Sequence, residues 1–337
     1  MRKDGPVAIL GDGAWGTALA LVLHGKGVEV RVWSAFPDYA REVARTRHNV
    51  RYLPGVKVPR AIAWGSDLAE AVRGARVWVV AIPTQFIRRT LAPEALEGAR
   101  AHLRRGVVVV TVAKGIEVGT GRRNSQVIRE VLGRVPVCVL SGPSHAEEVS
   151  RGLPASVVAA APTRALALRV QALFSTERLR VYDSTDVVGV ELGGALKNIV
   201  ALAAGIADGL RLGDNAKAAL LTRGMAEMAR LGAALGARRR TFSGLSGVGD
   251  LITTCGSAHS RNLTVGRAIG AGKTLRQVLK GMVMVAEGVE TTRATRRLAR
   301  RLRVEMPITE EVYRVLFEGK SPRAAVRDLF HRAPTRE

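Results

Sequence analysis

Three glycines near the amino terminus have the spacing of a phosphate-binding turn. Gly11, Gly13 and Gly16 follow the short apolar run Val7–Leu10 and precede a stretch, 14–24, with helical periodicity. In such a turn the first glycine permits a tight bend, the second lets the backbone approach a pyrophosphate, and the third lets the helix pack on the strand. The helix start adds unpaired N–H groups. We therefore predict a dinucleotide site; a glycine-rich turn that only packs is the alternative.

The end of the second predicted strand, 28–33, bears on which dinucleotide fits. It lies roughly 20 residues past the glycines, where an NAD-selective site usually carries an acid for the ribose hydroxyls. Residues 31–35 offer no acid, so NADP is admissible beside NAD. Ser34 is a candidate contact for a 2′-phosphate, although position 35 is alanine and not the arginine that would favour NADP.

Two further strands end in groups that could hold a substrate. Lys114 follows the apolar run 107–113, and Ser141-Gly142-Pro143-Ser144 ends and follows the run 137–141. Ligands of parallel sheets bind outside the carboxyl ends of the strands. We expect Ser144 to cap the next helix and to leave its N–H groups free for an anion.

A lysine and an amide interrupt the most apolar long helix, predicted over 186–210. Burial of Lys197 is costly without a partner and lowers the pKa of a lysine toward the range useful for proton transfer. Gly193 and Gly194 indicate close approach by another backbone or a ligand. One end of a buried ion pair is the alternative explanation of Lys197.

Farther on, a glycine-rich loop over 244–251 ends near an acid, Asp250, and Ser260-Arg261-Asn262 opens a helix. Arg261 and the helix N-terminus together suit a phosphate or carboxylate. A plain helix cap at Ser260 and a surface position for Arg261 remain the alternatives.

The elements that must position these residues change character along the chain. Strand-like runs alternate with helical ones in the first half, which predicts a Rossmann-like, doubly wound parallel sheet of the α/β class. Beyond about residue 185 the periodicity is almost only helical, which predicts an all-α domain. The predicted dinucleotide-binding domain is 1–185 and the predicted helical substrate domain 186–337. The predicted strands are Val7–Leu10, 28–33, 61–64, 76–83, 107–113, 137–141 and 156–160.

The composition is that of a globular protein with two domains. The chain has 337 residues, 47% apolar and 24% charged, and needs no disulfide or metal to form its cores. Its two cysteines, Cys138 and Cys255, lie far apart, which favours a reducing, cytoplasmic compartment. The start lacks the pattern of a signal peptide. Polar residues such as Glu191 interrupt the apolar stretch 187–210, which indicates a buried core helix and not a membrane span.

The formal charge of +23 would by itself favour an anionic partner such as nucleic acid. The basic residues are, however, spread along the chain, with few aromatic residues beside them for base stacking. We therefore expect no nucleic-acid partner. Leu298 and Leu302 mark the buried face of the predicted helix 287–302, and the densest basic cluster is interpreted as its solvated face: Arg293, Arg296, Arg297, Arg300, Arg301 and Arg303.

Histidine spacing favours neither a metal site nor a hydrolase. His24, His48, His102, His259 and His331 lack metal-ligand spacing, and no metal is expected. His145 beside Ser144 invites a hydrolase hypothesis, but the pattern G-x-S-x-G is missing. A histidine at a helix end is the better interpretation.

Taken together, the motifs resemble a known family, the NAD(P)-dependent glycerol-3-phosphate dehydrogenases of the bacterial type. The resemblance covers nearly the whole chain, and its Leu-Lys-Asn and Ser-Arg-Asn stretches are more discriminating than the glycine turn. Members often carry histidine or arginine where this chain has Ala35. The stretches concerned are 11–18, Lys114-Gly115-Ile116-Glu117, Ser141-Gly142-Pro143-Ser144, 191–198, 247–251, Ser260-Arg261-Asn262 and Val285-Ala286-Glu287-Gly288.

The resemblance implies an enzyme that interconverts dihydroxyacetone phosphate and sn-glycerol 3-phosphate and supplies the latter for phospholipid synthesis. Lys197 would accept the hydroxyl proton, Asp250 would orient it, and Lys114 would keep positive charge near the developing alkoxide. Beside the glycines and Ser34, the implied contacts of NAD or NADP are Ala14, Trp15, Lys114, Ala146, Arg261, Val285 and Glu287. The implied contacts of the substrate are Lys114, Gly142, Ser144, Lys197, Asn198, Asp250, Ser260, Arg261 and Asn262.

Two other classes remain as alternatives. The β-hydroxyacid dehydrogenases resemble this layout and also use a helix lysine, but their lysine and asparagine are spaced apart, whereas Lys197 and Asn198 are adjacent. A basic nucleic-acid-binding module with a dinucleotide fold would leave the grouped catalytic side chains unexplained. The sequence leaves the oligomeric state open, with a homodimer as one candidate.

Overall fold

A computed structural model of the chain describes residues 5–103 and 106–332. Two compact units are present. One extends to Lys114 and continues from Arg123 to Val190; the other joins Gly115–Arg122 to the residues from Glu191 onward. The predicted domains include residues 1–4, 104–105 and 333–337, which lie outside the described residues. Each unit holds its own share of the predicted site residues.

The first unit is built on a sheet whose strands are short and apolar. In the described residues these are β1 (Val7–Leu10), β2 (Val30–Trp33), β3 (Ala63–Gly65), β4 (Val77–Val80), β5 (Val108–Thr111), β6 (Val137–Ser141), β7 (Ala155–Ala160) and β8 (Leu179–Ser184). Their order is β3-β2-β1-β4-β5-β6-β7-β8. Because β1 pairs with β2 on one side and β4 on the other, the order reverses beside β1. In folds of this class the ligand crevice lies outside the carboxyl ends of the strands at that point.

The predicted Rossmann-like sheet is confirmed, with two differences. All strands were expected to be parallel, whereas β7 runs antiparallel to β6, with Val139 opposite Ala160. The four-residue helix between them is not a full crossover, which a parallel pair requires. The other difference is β8, which has no counterpart among the predicted strands. It is the edge strand of the sheet and alternates buried Leu179 with exposed Arg180, so it lacks a continuous apolar run.

Helices cover both faces of this sheet, which explains why its central strands are apolar throughout. Val7 and Ile9 of β1 belong to one core cluster, and Ala8 and Leu10 belong to another. The helices are α1 (Ala14–Gly25), α2 (Pro37–Thr46), α3 (Leu68–Val72), α4 (Thr84–Thr90), α5 (Asn124–Leu132), α6 (Ala146–Val149) and α7 (Arg164–Phe174), with a 3-10 turn at Arg100–His102.

Outside the segment Gly115–Arg122, the named elements of the second unit in the described residues are all helical, as predicted. Its first helix, α8 (Val187–Gly209), begins in the first unit. The others are α9 (Gly213–Ala234), α10 (Arg239–Phe242), α11 (Asp250–Gly256), α12 (Arg261–Gly270), α13 (Leu275–Lys280), α14 (Glu287–Leu302), α15 (Pro307–Phe317) and α16 (Pro322–Phe330). A π-helical turn at Leu245–Gly249 leads directly into α11.

Helix α8 is the one helix in the described residues that is long and apolar enough to cross a membrane, and most of it is buried within the protein. Glycines let its backbone lie against that of α12. A Cβ on Gly205 would lie 2.2 Å from the Leu263 carbonyl oxygen, and one on Gly266 would lie 2.2 Å from that of Leu202. This burial agrees with the predicted core helix.

The predicted basic face of α14 is partly neutralised by its neighbour α15. Arg296 and Arg300 of α14 lie 2.8 and 3.0 Å from the carboxylate of Glu310. On the opposite side of α14, Leu298 is buried, as its position in the periodicity predicts. Ion pairing and solvent exposure account for this cluster of arginines.

Candidate functional site

The glycine turn after β1 has the geometry that close backbone packing requires. Gly11 has a φ of +118° and lies so near β4 that a Cβ would be 2.6 Å from the Ala81 carbonyl oxygen. A Cβ on Gly16 would lie 2.2 Å from the carbonyl oxygen of Gly11 itself. The first and third glycines therefore have the predicted structural roles, since any side chain at either position would collide with backbone.

The second glycine instead borders open space. Gly13 is the N-cap of α1, and no heavy atom lies within 4 Å of the position of its Cβ. The helix that follows opens with Ala14 and Trp15, and the buried indole N–H of Trp15 has no hydrogen-bond partner in the described residues. Unpaired N–H groups in the first turn of a helix and a positive dipole end suit an anion. This edge of the sheet thus offers room, donors and positive potential for a pyrophosphate.

Ser34, directly after β2, points inward. Its hydroxyl oxygen accepts a hydrogen bond from the Phe36 amide at 3.2 Å. The hydroxyl also lies near the carboxylate of Asp12 in the glycine turn, where it favours the ionised form and acts to lower the pKa of Asp12. The side chain is fully buried. Because the hydroxyl is buried, a 2′-phosphate could contact it only if the surrounding residues moved.

Lys114 is tied to the segment after β6. Its ammonium group donates to the carbonyl oxygen of Gly142 at 2.8 Å and to the Ser144 hydroxyl at 3.3 Å. Gly142 has a φ of +135°, a conformation that favours glycine. The lysine and the Gly142–Ser144 segment, which the sequence presents as separate motifs, therefore form one polar group at neighbouring strand ends.

The expected helix cap at Ser144 is wrong. The residue that precedes α6 is His145, and the Ser144 hydroxyl donates to the Gly142 carbonyl oxygen at 2.8 Å instead. Because α6 has only four residues, its N-terminus is a weak anion site. The polar group around Lys114 is the better candidate for holding an anionic or hydroxyl-bearing ligand here.

In the second unit, Lys197 of α8 forms a buried polar cluster with α11. Its ammonium group lies 3.0 Å from the Asp250 carboxylate, and these side chains are only 8% and 3% exposed. It also donates to the Thr254 hydroxyl at 2.5 Å, which in turn donates to Asp250 at 3.3 Å. The three side chains close a triangle of hydrogen bonds. The ion-pair alternative is therefore an observed contact, and the catalytic role of Lys197 stays a prediction.

Thr254 was not among the predicted site residues, because residues 244–251 were predicted to form a loop. The segment is a π-helical turn that continues into α11, which places Asp250 and Thr254 one helical turn apart on the same face. Gly193 of α8 permits this packing, since a Cβ there would lie 2.4 Å from the Ser246 carbonyl oxygen. The spacing of an acid and a hydroxyl at i and i+4 was the available signal.

Asn198 and Asn262 join three helices. The Asn262 amide donates to the Asn198 side-chain oxygen at 3.0 Å, and its own oxygen accepts the Gly288 backbone N–H of α14 at 3.0 Å. Gly288 lies so close that a Cβ would be 2.7 Å from the Asn262 amide oxygen. Asn262 therefore holds the start of α14 against α8 and α12, and its side chain has contacts within the protein at both ends.

Helix α12 begins where the sequence predicts, directly after Ser260. Ser260 is its N-cap and accepts the Leu263 N–H at 3.2 Å, as the plain-cap alternative also requires. Arg261 is exposed and donates to the Val285 carbonyl oxygen at 2.7 Å. This bond connects two predicted motifs, Ser260–Asn262 and Val285–Gly288, and Glu287 opens α14 just beyond it.

The structure thus gathers the predicted site residues into two groups, one in each unit. The group of the first unit is Gly11, Gly13, Ala14, Trp15, Gly16, Ser34, Lys114, Gly142, Ser144 and Ala146; that of the second is Lys197, Asn198, Asp250, Ser260, Arg261, Asn262, Val285 and Glu287. Within residues 5–103 and 106–332, no three histidine, cysteine, aspartate or glutamate side chains are arranged to hold a metal ion.

Comparison with protein families finds a match in both halves of the chain. Residues 6–167 match the family described as NAD-dependent glycerol-3-phosphate dehydrogenase N-terminus, and residues 186–327 match the corresponding C-terminus. The two matches together span most of the sequence and meet near the change from α/β to all-α structure.

Individual relatives agree with this result. A protein of Chlorobium phaeobacteroides named glycerol-3-phosphate dehydrogenase [NAD(P)+] is 51% identical over 334 residues, 98% of each chain. One of the same name from Geobacillus kaustophilus is 52% identical, covering 98% of this chain and 96% of the relative. The crystal structure of glycerol-3-phosphate dehydrogenase from Coxiella burnetii superposes with a TM-score of 0.93 at 37% identity, covering 98% of this chain and 100% of that one. The chain belongs to the family of NAD-dependent glycerol-3-phosphate dehydrogenases.

Proposed function

We propose that this chain interconverts dihydroxyacetone phosphate and sn-glycerol 3-phosphate through the residues described above, with NADH or NADPH as the reductant. The observation that carries the assignment of residues is the buried cluster of Lys197, Asp250 and Thr254. A lysine held this way, in a chain of this family, can accept or return a proton at a substrate hydroxyl. A β-hydroxyacid dehydrogenase is not favoured, since residues 6–167 and 186–327 both match the glycerol-3-phosphate dehydrogenase family.

The glycine turn fits a dinucleotide. Gly13 leaves open space, Trp15 presents a buried N–H with no partner in the described residues, and α1 begins at this point. We propose that the turn residues Gly11 to Gly16 hold the pyrophosphate, that Lys114 and Ala146 also contact the cofactor, and that Arg261, Val285 and Glu287 contribute from the second unit. The bound cofactor would supply the hydride.

The second unit provides the residues for the phosphate. We propose that Arg261 and the N-terminus of α12, where Ser260 and Asn262 lie, hold the phosphate group of the substrate. The Asn262 side chain is bonded to Asn198 and Gly288, so its backbone N–H is the group left for an anion and its side chain acts by positioning. Arg261 is exposed and bonded through one nitrogen to Val285, which leaves further donors of its guanidinium for a ligand.

The proton is handled by the cluster on α8 and α11. In the oxidation of glycerol 3-phosphate, neutral Lys197 takes the proton of the C2 hydroxyl; in the reduction of dihydroxyacetone phosphate, its ammonium group returns it. Asp250 and Thr254 fix the position of the amine through contacts of 3.0 and 2.5 Å. Lys114, Gly142 and Ser144 form the polar group that, in this proposal, contacts the hydroxyl end of the substrate and keeps positive charge near the alkoxide.

Four further proposals concern the setting of the reaction. We propose that 1–185 acts as the cofactor domain and 186–337 as the substrate domain, and that the glycerol 3-phosphate formed supplies phospholipid synthesis. A cytoplasmic location is supported by the cysteines: Cys138 and Cys255 are free thiols, and burial raises the pKa of each to about 12. A homodimer remains a proposal that the sequence admits.

The experiment that tests the proposed substrate compares two ketones. Oxidation of NADH and of NADPH is followed by absorbance with dihydroxyacetone phosphate and with unphosphorylated dihydroxyacetone. We expect turnover only with the phosphorylated ketone, because the proposed site at Arg261 and the N-terminus of α12 binds the phosphate group of the substrate. Comparable rates on the two ketones would show that the phosphate site is assigned wrongly.

A further inference from the structure

The last residues of β2 include no acid, but an acid from another segment lies beside the carboxyl end of this strand. Asp12, between the first two glycines of the turn, lies beside this strand end, because the N–H of the preceding Gly11 donates to the carbonyl oxygen of Trp33, the last residue of β2, at 3.0 Å. Its carboxylate is near Ser34, the residue that follows β2. The sequence position at which NAD-selective folds usually carry an acid is the end of this strand. In this chain a carboxylate reaches that place from the neighbouring turn.

The carboxylate of Asp12 is held but not neutralised by contact. The residue is 5% exposed, and its Oδ2 atom is buried without a hydrogen-bond partner in the described residues. Its backbone oxygen accepts the Asn49 amide at 2.7 Å, which fixes the turn in place. Burial raises the pKa of Asp12, while the Ser34 hydroxyl and the charge of Arg51 favour the ionised form.

The positive charge that favours ionised Asp12 belongs to an exposed side chain, that of Arg51. The Arg51 guanidinium stacks on the ring of Tyr39, 4.2 Å from its centre, and the Arg51 backbone N–H donates to the Tyr39 hydroxyl at 3.0 Å. The Tyr39 hydroxyl donates to Asn49, the same side chain that holds the Asp12 backbone. One hydrogen-bonded network therefore fixes a buried acid and an exposed base near the end of β2.

We propose that Asp12 is a residue that determines cofactor specificity, its buried carboxylate disfavouring the 2′-phosphate of NADPH and Arg51 opposing this effect. A charge with few polar contacts in a poorly screened interior acts over a longer range than one in water. A 2′-phosphate carries up to two negative charges, whereas the ribose hydroxyl of NADH carries none. The unbalanced acid therefore selects between cofactors without touching them. Ser34 is its positioning residue.

The inference rests on the proposed dinucleotide site, and its test separates the two. Dissociation constants of NADH and NADPH are measured by calorimetry on the wild type, Asp12→Asn and Arg51→Gln. Binding of either cofactor to the wild type establishes the site whatever the variants do. Asparagine keeps the size of the side chain and can still accept the Ser34 hydroxyl, and unfolding curves check that the variant is folded.

We expect Asp12→Asn to shift the relative affinity toward NADPH by about tenfold, and Arg51→Gln to shift it toward NADH. The matched control is Glu42→Gln, which removes one acid from the exposed surface of α2 and should leave the ratio unchanged. A ratio that stays within about twofold of the wild type in Asp12→Asn, with the protein folded and Arg51→Gln equally silent, overturns the proposal.

Discussion

The ammonium group of Lys197 lies 3.0 Å from the carboxylate of Asp250, and both side chains are almost wholly buried. The pair joins α8 to α11, whose residues are 53 positions or more from Lys197 in sequence. A buried ion pair of this kind contributes little net stability but is costly to break from one side. Its value to this chain is that it holds an amine in a fixed place, with the Thr254 hydroxyl as a second support at 2.5 Å.

Thr254→Val should reduce turnover while leaving NADH affinity unchanged. The variant keeps the shape of the side chain but removes a hydrogen bond to a charged group, a contact of about 1.5–3 kcal/mol, or roughly 10- to 100-fold in rate if it acts in the transition state. Thr254→Ser should restore most of the rate. Steady-state kinetics and NADH titration measure both effects.

The neighbouring Thr253→Val is the matched control for Thr254. The Thr253 hydroxyl donates to the Gly249 carbonyl oxygen at 3.0 Å, within the helical segment itself. It should therefore change kcat little. Equal losses in the two valine variants would mean that Thr254 acts through the packing of α11 and not through Lys197.

Arg261→Ala should mainly raise the KM for dihydroxyacetone phosphate, again by about 1.5–3 kcal/mol, the size of a hydrogen bond to a charged group. The loss of the bond to the Val285 carbonyl oxygen could also weaken cofactor binding, so the Kd for NADH is measured beside KM. Arg276→Ala, on the exposed surface of α13, controls for the loss of one positive charge. A normal KM in Arg261→Ala would remove Arg261 from the phosphate site.

Glu227 should make stability fall as the pH rises toward neutrality. Its carboxylate accepts the Thr309 N–H at the start of α15 and the Thr309 hydroxyl, at 3.3 and 3.2 Å, and burial raises its pKa from the usual 4.5 to about 7. The folded state thus holds the proton more tightly than the unfolded state. This contribution is complete below about pH 4.5 and is lost as the pH rises through about 7. Its size is on the order of 3 kcal/mol.

Urea unfolding of the wild type and Glu227→Gln at about pH 5 and about pH 8 tests this dependence. Glutamine can accept the same backbone N–H and cannot titrate. The difference between the two proteins should grow in favour of the glutamine variant at the higher pH. An equal difference at both pH values would place the pKa of Glu227 back in its usual range.

Both cofactors should support turnover. Residues 31–35 hold no acid and position 35 no arginine, so we expect discrimination between NADH and NADPH of less than about 100-fold, or ~2.7 kcal/mol. The ratio of kcat/KM values for the two cofactors measures it. Exclusive use of NADH would show that this interpretation of residues 31–35 is wrong.

The glycine turn and the second-half helices could be predicted because local constraints determine them. Gly11 and Gly16 are required by backbone approach, and the periodicity of 287–302 gives the bounds of α14. The direction of β7 was not predicted, since the residues of a strand do not specify how it pairs; the four-residue helix between β6 and β7 is too short for the crossover that a parallel pair requires. A distant contact also decides the role of Ser144. Its residue type favours a helix cap, but Lys114, 30 positions earlier, donates a hydrogen bond to its hydroxyl.

The cluster of Lys197, Asp250 and Thr254 could be predicted only in part from the sequence. A lysine in an apolar helix signals a partner, and Asp250 is that partner. Thr254 was not predicted, because glycines at 244, 247 and 249 favour a loop. In the structure the segment forms a π-helical turn that packs against α8. Glycine is needed at position 193 because the Ser246 backbone lies so close to it. Gly193 predicted a close approach of this kind, but not which segment makes it.

The most direct test of the account is the turnover of Lys197→Met in the reduction of dihydroxyacetone phosphate. Loss of the general acid, and of positive charge near the alkoxide, should reduce kcat by at least about 10²–10⁴-fold with the Kd for NADH unchanged. Because Asp250 is left buried without its lysine, stability should also fall by about 3–5 kcal/mol, so kcat is measured at a temperature where the variant is folded.

Lys217→Met is the matched control, since Lys217 lies 3.0 Å from Asp208 in a half-buried pair of the same unit. It should lose stability but keep its turnover. The account predicts a folded Lys197→Met protein that binds NADH and barely reduces the ketone. A marked fall in Tm with near-normal kcat in that variant would contradict it and leave Lys197 with a structural role alone.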